Sequence, residues 1–314
     1  MANKLLILFI ISLSQLFSSQ WYFDENDFWE VNTSSRASAL GGINLNKFLT
    51  LSDSEYSNNR IQIYNSSMYD GIIEYNNIFY TCKINDLHIL GSDVNSINLA
   101  FFNRKLDDIV GTTNIWNDEI NPPSNSNSID NSLIDYYNHN DFAFLVDFFL
   151  KNPLGDFGLH FTPSFSKVDS YSSKAISIDL SYSQYLNNVF LGAILNNAFS
   201  YKDWSNGNTE RFYPSLSLLI SREFKKVNYF LEIDNFYINN NNKLKDKIKL
   251  GIEYDIYVNS NIRFGYNSRY FSVGLGTNIY NKILFDYSYL SHPELGNSNQ
   301  ITIIFLIQDN SGEQ

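Results

Sequence analysis

Apolar and polar residues alternate with a period of two along most of this chain. In residues 227–238, Val227, Tyr229, Leu231, Ile233 and Tyr237 fall on one face, and Asn228, Glu232 and Asp234 fall on the other. Ile248, Leu250, Ile252, Tyr254 and Ile256 then oppose Lys249, Gly251, Glu253 and Asp255. Phe271, Val273, Leu275 and Ile279 oppose Ser272, Gly274, Gly276 and Asn278. Successive side chains of a strand point to opposite faces, so this period predicts half-apolar β-strands. The pattern gives fourteen: 60–66, 71–84, 96–104, 140–150, 156–166, 175–186, 189–200, 213–224, 227–238, 246–257, 261–268, 270–280, 282–290 and 299–307. Most have about 9–12 residues, the length a tilted strand needs to cross a bilayer.

The links between strands differ in length from one end to the other. Asn281, 258–260, 225–226, 187–188 and 151–155 are short and fall on one side. Residues 105–139, 201–212, 239–245 and 291–298 are long, polar and fall on the other, with Arg269 as a near-absent link among them and 85–95 as a long link on the short side. Short periplasmic turns and long external loops are the asymmetry of outer-membrane barrels. Lipid offers no hydrogen-bond partner to a backbone, so a spanning sheet must close on itself. A soluble sandwich would instead turn the same apolar rows against a second sheet.

The N-terminus supports export. Lys4 precedes the apolar run from Leu5 to Ile11, and small polar residues follow. That is a signal peptide over 1–19, with cleavage before Gln15 or near Ser18 to Gln20. No later stretch reaches 18 consecutive apolar residues. Residues 20–59 do not alternate, and they hold Ser34 to Ala39 before Leu40 and the Gly41-Gly42 pair; small residues allow close backbone approach, so this segment is expected to fold into the lumen as a plug or hatch. The barrel follows over 60–307, and 308–314 form a periplasmic tail. The fold expected is therefore all-β: a closed antiparallel transmembrane barrel of about fourteen strands with an N-terminal hatch.

Composition sharpens this. Aromatic residues make up 16% and charged residues 18% of the 314 residues, and the net charge is −11. A nucleic-acid binder would need a basic stripe for phosphates, and none is present. The lone Cys82 excludes a disulfide framework and a cysteine zinc site.

Two ends of the sequence resemble a known family. Ser34-Ser35-Arg36-Ala37 through Leu40-Gly41-Gly42 resembles the mature N-terminal motif of FadL-superfamily barrels, especially the PorV/PorQ-like branch. Asp286-Tyr287-Ser288-Tyr289 through Gln300-Ile301 resembles that branch's closing hairpin, and Asp107-Asp108-Ile109 resembles its third-strand loop. The Asn-Pro-Ala-Gly stretch that usually follows the Gly pair is absent from 44–57, and the last strand runs on into 308–314. The resemblance implies a bacterial outer-membrane location. It also implies one of two roles: passage of small, hydrophobic molecules, or a PorV-like carrier for type IX protein secretion.

Several constellations could carry chemistry. Asp179, Glu232, Asp234, Glu253, Asp255 and Asp286 fall on the inward face, with Arg222, Lys249 and Arg263. Arg36 of the hatch, beside Gly41 and Gly42, could latch to this acidic wall. The same groups also fit a solvated, ion-paired interior. Phe149, Phe190, Phe230 and Phe236 fall on that face too, as a greasy tunnel or as packing for the hatch. His88, His139, His160 and His292 lack metal-ligand spacing, with His160 facing inward. Asp118, Glu119, Asp130 and Asp135 lack the Gly-bearing spacing of a calcium loop. No phosphate loop or nucleophile elbow occurs. The expectation is a barrel that is not an enzyme and needs no cofactor or metal. Its partners would be outer-membrane lipid and a hydrophobic ligand, or secreted cargo in the alternative role.

Overall fold

The computed structural model describes residues 20–22, 33–48, 59–84, 88–89, 92–111, 134–236 and 247–307. The leader, the 308–314 tail and Asp118, Glu119 and Asp130 lie outside these residues. Fourteen long strands form the wall. They are β1 (Asn59–Met68), β2 (Ile73–Lys83), β3 (Ser92–Gly111), β4 (Asp135–Lys151), β5 (Asp156–Val168), β6 (Tyr171–Leu186) and β7 (Val189–Trp204). The second half holds β8 (Ser215–Phe224), β9 (Val227–Phe236), β10 (Ile248–Tyr257), β11 (Ser260–Asn267), β12 (Phe271–Ile279), β13 (Ile283–His292) and β14 (Gly296–Ile307). Each pairs antiparallel with its sequence neighbours. β14 returns to β1 through nine residue pairs, from Asn299 with Ser67 to Ile307 with Asn59, and this closes the barrel. Short strands at Gln20–Tyr22, His88–Ile89 and Thr209–Phe212 attach to its edges.

The alternation is turned outward in its apolar half. Ile63, Ile78, Leu250, Phe264, Val273 and Leu275 are exposed, whereas Gln62, Asn77, Glu253, Arg263, Ser272 and Ser288 are buried. No described helix is long and apolar enough to cross a membrane, so any crossing falls to the strands. Residues 187–188, 225–226, 258–259 and 280–282 form tight turns at one end, and positive φ values at Asn187, Lys225, Tyr280 and Asn281 let the chain reverse within two or three residues. This end is the periplasmic one in barrels of this kind.

The strands at the opposite end are longer than the alternation predicts. β3 runs to Gly111 and β4 starts at Asp135, so 105–111 and 135–139 are ladder and not loop. Asp107 and Asp108 sit at a bulge of β3 between Leu106 and Ile109, where Asp108 has φ 53°, and not in a loop after the strand. β7 reaches Trp204, and β13 and β14 leave only 293–295 between them. Above the bilayer both strand faces meet water, so polarity no longer alternates there.

Two further bulges re-aim side chains. Between β8 and β9, Leu218 pairs with Ile233 but Leu216 pairs with Phe236. The extra β9 residue flips the row, so Phe236 faces outward instead of inward. Between β6 and β7, Ile178 pairs with Phe199 while Leu180 pairs with Leu195. Arg222 also departs from its expected face. It shares the exposed row of Leu218 and Ile220, whereas Leu219 and Ser221 point inward.

Candidate functional site

Residues 33–48 lie inside the barrel. Ser34 caps the helix α1 (Ser35–Ala39) by accepting a hydrogen bond from the Ala37 amide at 3.2 Å. Gly41 and Gly42 end it with φ of 81° and 82°, and their amides return to the Ser38 and Ala37 carbonyls. That is the left-handed helix stop that glycine supplies without a Cβ penalty. A 3-10 turn at Leu45–Lys47 follows.

Glycines on the wall receive this segment. A Cβ at Gly251 would stand 2.9 Å from Leu40, one at Gly265 would fall on the Gly41 amide nitrogen, and one at Gly274 would overlap the Ala39 methyl. Gly251 and Gly265 are direct cross-strand partners, so the strip is continuous across β10 and β11. A Cβ on Gly41 itself would meet the Tyr266 carbonyl at 2.7 Å. The two backbones therefore touch, and hydrogen bonds bind them there. Gly41 donates to Ser272 Oγ at 3.2 Å, Ser272 donates to the Ala39 carbonyl at 3.0 Å, and Asn267 donates to the Gly41 carbonyl at 3.1 Å. Ser35 donates to Thr302 Oγ1 at 2.8 Å.

Three charged anchors add to this seam. Arg36 grips Glu253 with two bonds, Nε to Oε2 at 3.0 Å and Nη2 to Oε1 at 2.8 Å. Arg263 donates to the same carboxylate at 2.6 Å and reaches Asp286 at 2.5 Å. The result is an alternating chain, Arg36, Glu253, Arg263, Asp286. At the second anchor, Asn44 donates its amide to Glu232 at 2.8 Å and its side chain to Glu232 and Asp234 at 2.9 and 3.2 Å. Lys249 bridges Asp234 at 2.6 Å, Glu232 at 3.2 Å and the Gly42 carbonyl at 2.7 Å. At the third, Lys47 reaches Asp179 at 2.9 Å and Asn196 at 2.7 Å beside the β7 bulge. Asp179 also accepts the Asn197 amide at 2.7 Å, where Asn197 has φ 51°.

The structure thus brings Arg36, Gly41, Gly42, Asp179, Glu232, Asp234, Glu253, Asp286 and Arg263 onto one seam. Asp255 is exposed at the mouth that carries the tight turns. Lys47, Asn44, Ser272, Asn267 and Thr302 join the seam unforeseen. The signal for the seam was the run of inward-facing glycines, which mark close backbone approach.

Apolar packing seals the same side. Leu40, Ile43, Leu45 and Phe48 cluster with Phe190, Ile194, Leu219 and Phe230 of the wall. Phe48 meets Phe190 edge to face, with centroids 5.6 Å apart. Across the lumen, Tyr64, Tyr75, Phe79 and Phe102 cluster with Ala100 of β3 and Ala143 of β4. A cavity of about 50 Å³ separates that cluster from the inserted segment, with Phe79, Phe102, Leu145, Asn98, Asp147 and His160 among its lining.

His160 is held from both sides. Its Nδ1 lies 2.8 Å from Asp147 and its Nε2 lies 2.9 Å from Ser181 Oγ. This has the connectivity of a nucleophilic triad. Asp147 and His160 line the cavity but Ser181 does not, and the neighbouring strand amides are committed to the ladder. The chain braces β4, β5 and β6 to one another. His139 makes a similar contact with Asp141 at 2.9 Å, and His292 accepts turn amides at 3.1 Å. Among the described residues no group of three His, Cys, Asp or Glu side chains could hold a metal.

No family model and no curated protein matches the sequence. Solved structures do. The fold is that of a closed fourteen-stranded barrel of the outer-membrane kind. A crystal structure of the P. putida toluene transporter TodX superposes with TM-score 0.50 at 8% identity, covering 93% of this chain and 96% of that one. A second structure of the Pseudomonas putida transporter gives 0.49 at 10% identity over 91% and 98%. The Acinetobacter baumannii outer membrane protein Omp33 gives 0.38 at 8% identity over 80% and 98%. At these identities the likeness concerns the fold.

Proposed function

We propose that this barrel passes small, hydrophobic molecules across the outer membrane and that residues 33–48 are its hatch. The observation that carries the reading is the seam itself. A segment bound to the wall through glycine contacts and three hydrophilic anchors can detach without unfolding the ladder, because none of those contacts is a strand pair. The resemblance of the Ser34 to Gly42 motif to FadL-superfamily barrels and the TodX-like fold support the same role. Arg36 is the latch, since its two bonds to Glu253 join the hatch to an ion-pair chain that continues to Asp286. A ligand would enter from the loop end, rest beside the hatch and leave when the latch opens.

The test is uptake of a radiolabelled small aromatic hydrocarbon by vesicles containing the full chain. Saturable uptake above protein-free vesicles supports the reading. Uptake indistinguishable from empty vesicles rejects it. The second reading is a PorV-like carrier for type IX secretion, and the small size of the cavity favours it. A cavity of that size suits a barrel whose work lies in protein contacts on its loops. Co-purification of a secreted protein, without saturable uptake, would select it.

A further inference from the structure

Within 189–195, 216–224, 227–233 and 248–256 the outward faces of β7 to β10 carry a single charged residue. Val189, Leu191, Leu218, Ile220, Leu231, Leu250 and Ile252 face lipid, and so does Arg222. A charge on the lipid face of a barrel costs about 2–4 kcal/mol at mid-bilayer and little near the interface. Arg222 lies three residues before Lys225 of the periplasmic turn, so its Cα is roughly 10 Å from that turn along the strand. Its cross-strand partners are Val189 and Tyr229, and no acid among the described residues pairs with its guanidinium. A guanidinium so placed has five donors and, among the described residues, no protein acceptor.

The surface around it is shaped. Ile220, Leu231 and Leu250 form one cross-strand row, and Arg222, Tyr229 and Ile252 form the next. Between the rows lies a groove of about 340 Å³. Its floor includes Phe230 and Gly251, whose side of the wall faces the hatch, so nothing rises from the floor outward. The groove is apolar along its length and ends on a single cation at the periplasmic edge. Lys225 and Lys226 occupy the turn just beyond.

We infer that this groove is a binding site for an anionic phospholipid of the periplasmic leaflet. The phosphate accepts two parallel bonds from the Arg222 fork, and an acyl chain lies between the two side-chain rows. Phosphate suits the fork geometrically, which a point charge would not match. This assignment is independent of what the lumen carries.

The test uses the full chain extracted in mild detergent, incubated with equal amounts of phosphatidylglycerol and phosphatidylcholine, and read by native mass spectrometry. Wild type is expected to retain phosphatidylglycerol preferentially. Arg222→Gln should reduce that retention about tenfold, as expected for loss of a charge-assisted bond pair, with phosphatidylcholine unchanged. Arg222→Lys should fall between, because charge survives and the fork does not. Heat-modifiable migration confirms that each variant has closed its barrel. Equal phosphatidylglycerol retention by wild type and Arg222→Gln would overturn the site. So would equal loss of both lipids, or a loss produced by Lys225→Gln with Lys226→Gln but not by Arg222→Gln.

Discussion

The two sides of the lumen are built from the same inward positions yet solve different problems. On β10 to β13 the inward row is glycine, serine and paired charge: Gly251, Glu253, Arg263, Gly265, Ser272 and Asp286. On β1 to β4 a cluster of rings and small residues, Tyr64, Tyr75, Phe79, Ala100, Phe102 and Ala143, interrupts an inward row that also buries Gln62, Asn77, Thr81, Asn98 and Asp147. The first side meets a non-strand segment whose amides and carbonyls have no ladder of their own. Buried backbone groups need partners, so the wall supplies hydroxyls, amides and charges. The second side touches the inserted backbone through Gln62, which donates to the Thr33 carbonyl at 2.8 Å, and fills the space beyond with rings. The first side thus commits its polar groups to a foreign backbone, whereas the second breaks a polar row with rings that exclude water.

Perturbing each side should separate stability from sealing. The largest effect is expected on the aromatic side. Phe102→Ala removes a ring that is 3% exposed and should cost about 3–5 kcal/mol, read as a lower unfolding temperature of the heat-modifiable band. Because Phe102 is not on the hatch seam, hatch residues should stay protected from a membrane-impermeant thiol reagent. Gly265→Val should cost somewhat less, about 1–3 kcal/mol, yet it should displace the hatch, since its Cβ would occupy the Gly41 amide. A cysteine placed at Ala37 should then label rapidly. Arg36→Ala should cost about 2 kcal/mol, because Glu253 keeps Arg263 while losing two bonds. The smallest change is expected for Lys47→Met, about 1 kcal/mol. Asp179 retains the Asn197 amide and Ser177, so labelling at Ala37 should hardly change. If Phe102→Ala opened the hatch as readily as Gly265→Val, the contrast between the two sides would fail.

Much of this architecture was legible in the chain because alternation is strong where one face meets lipid. β8 to β14 show it, and the inward set Glu232, Glu253, Arg263 and Asp286 follows from parity alone. Parity fails at bulges, which add one residue without a sequence mark. That is why Phe236 was placed on the wrong face, and why the Asn196–Asn197 irregularity that receives Lys47 was invisible; Arg222 keeps the parity of Leu218 and Ile220 and was placed inward because of its charge. Parity fails again above the bilayer, where Asn138 and His139 in β4 read as loop because neither face is greasy. The pairing of Arg36 with Glu253 joins residues 217 apart in sequence. Candidate partners could be named from charge, but which acid is reached depends on where Gly251 and Gly265 let the hatch settle.

Single-channel conductance in planar bilayers tests the latch most directly, on the full chain and on Arg36→Ala. The wild-type barrel should show a baseline with rare, brief openings, and the variant should show sustained steps. A wild type that conducts continuously, or a variant whose trace matches it, would contradict the assignment of Arg36 and Glu253 as the contact that keeps the hatch shut.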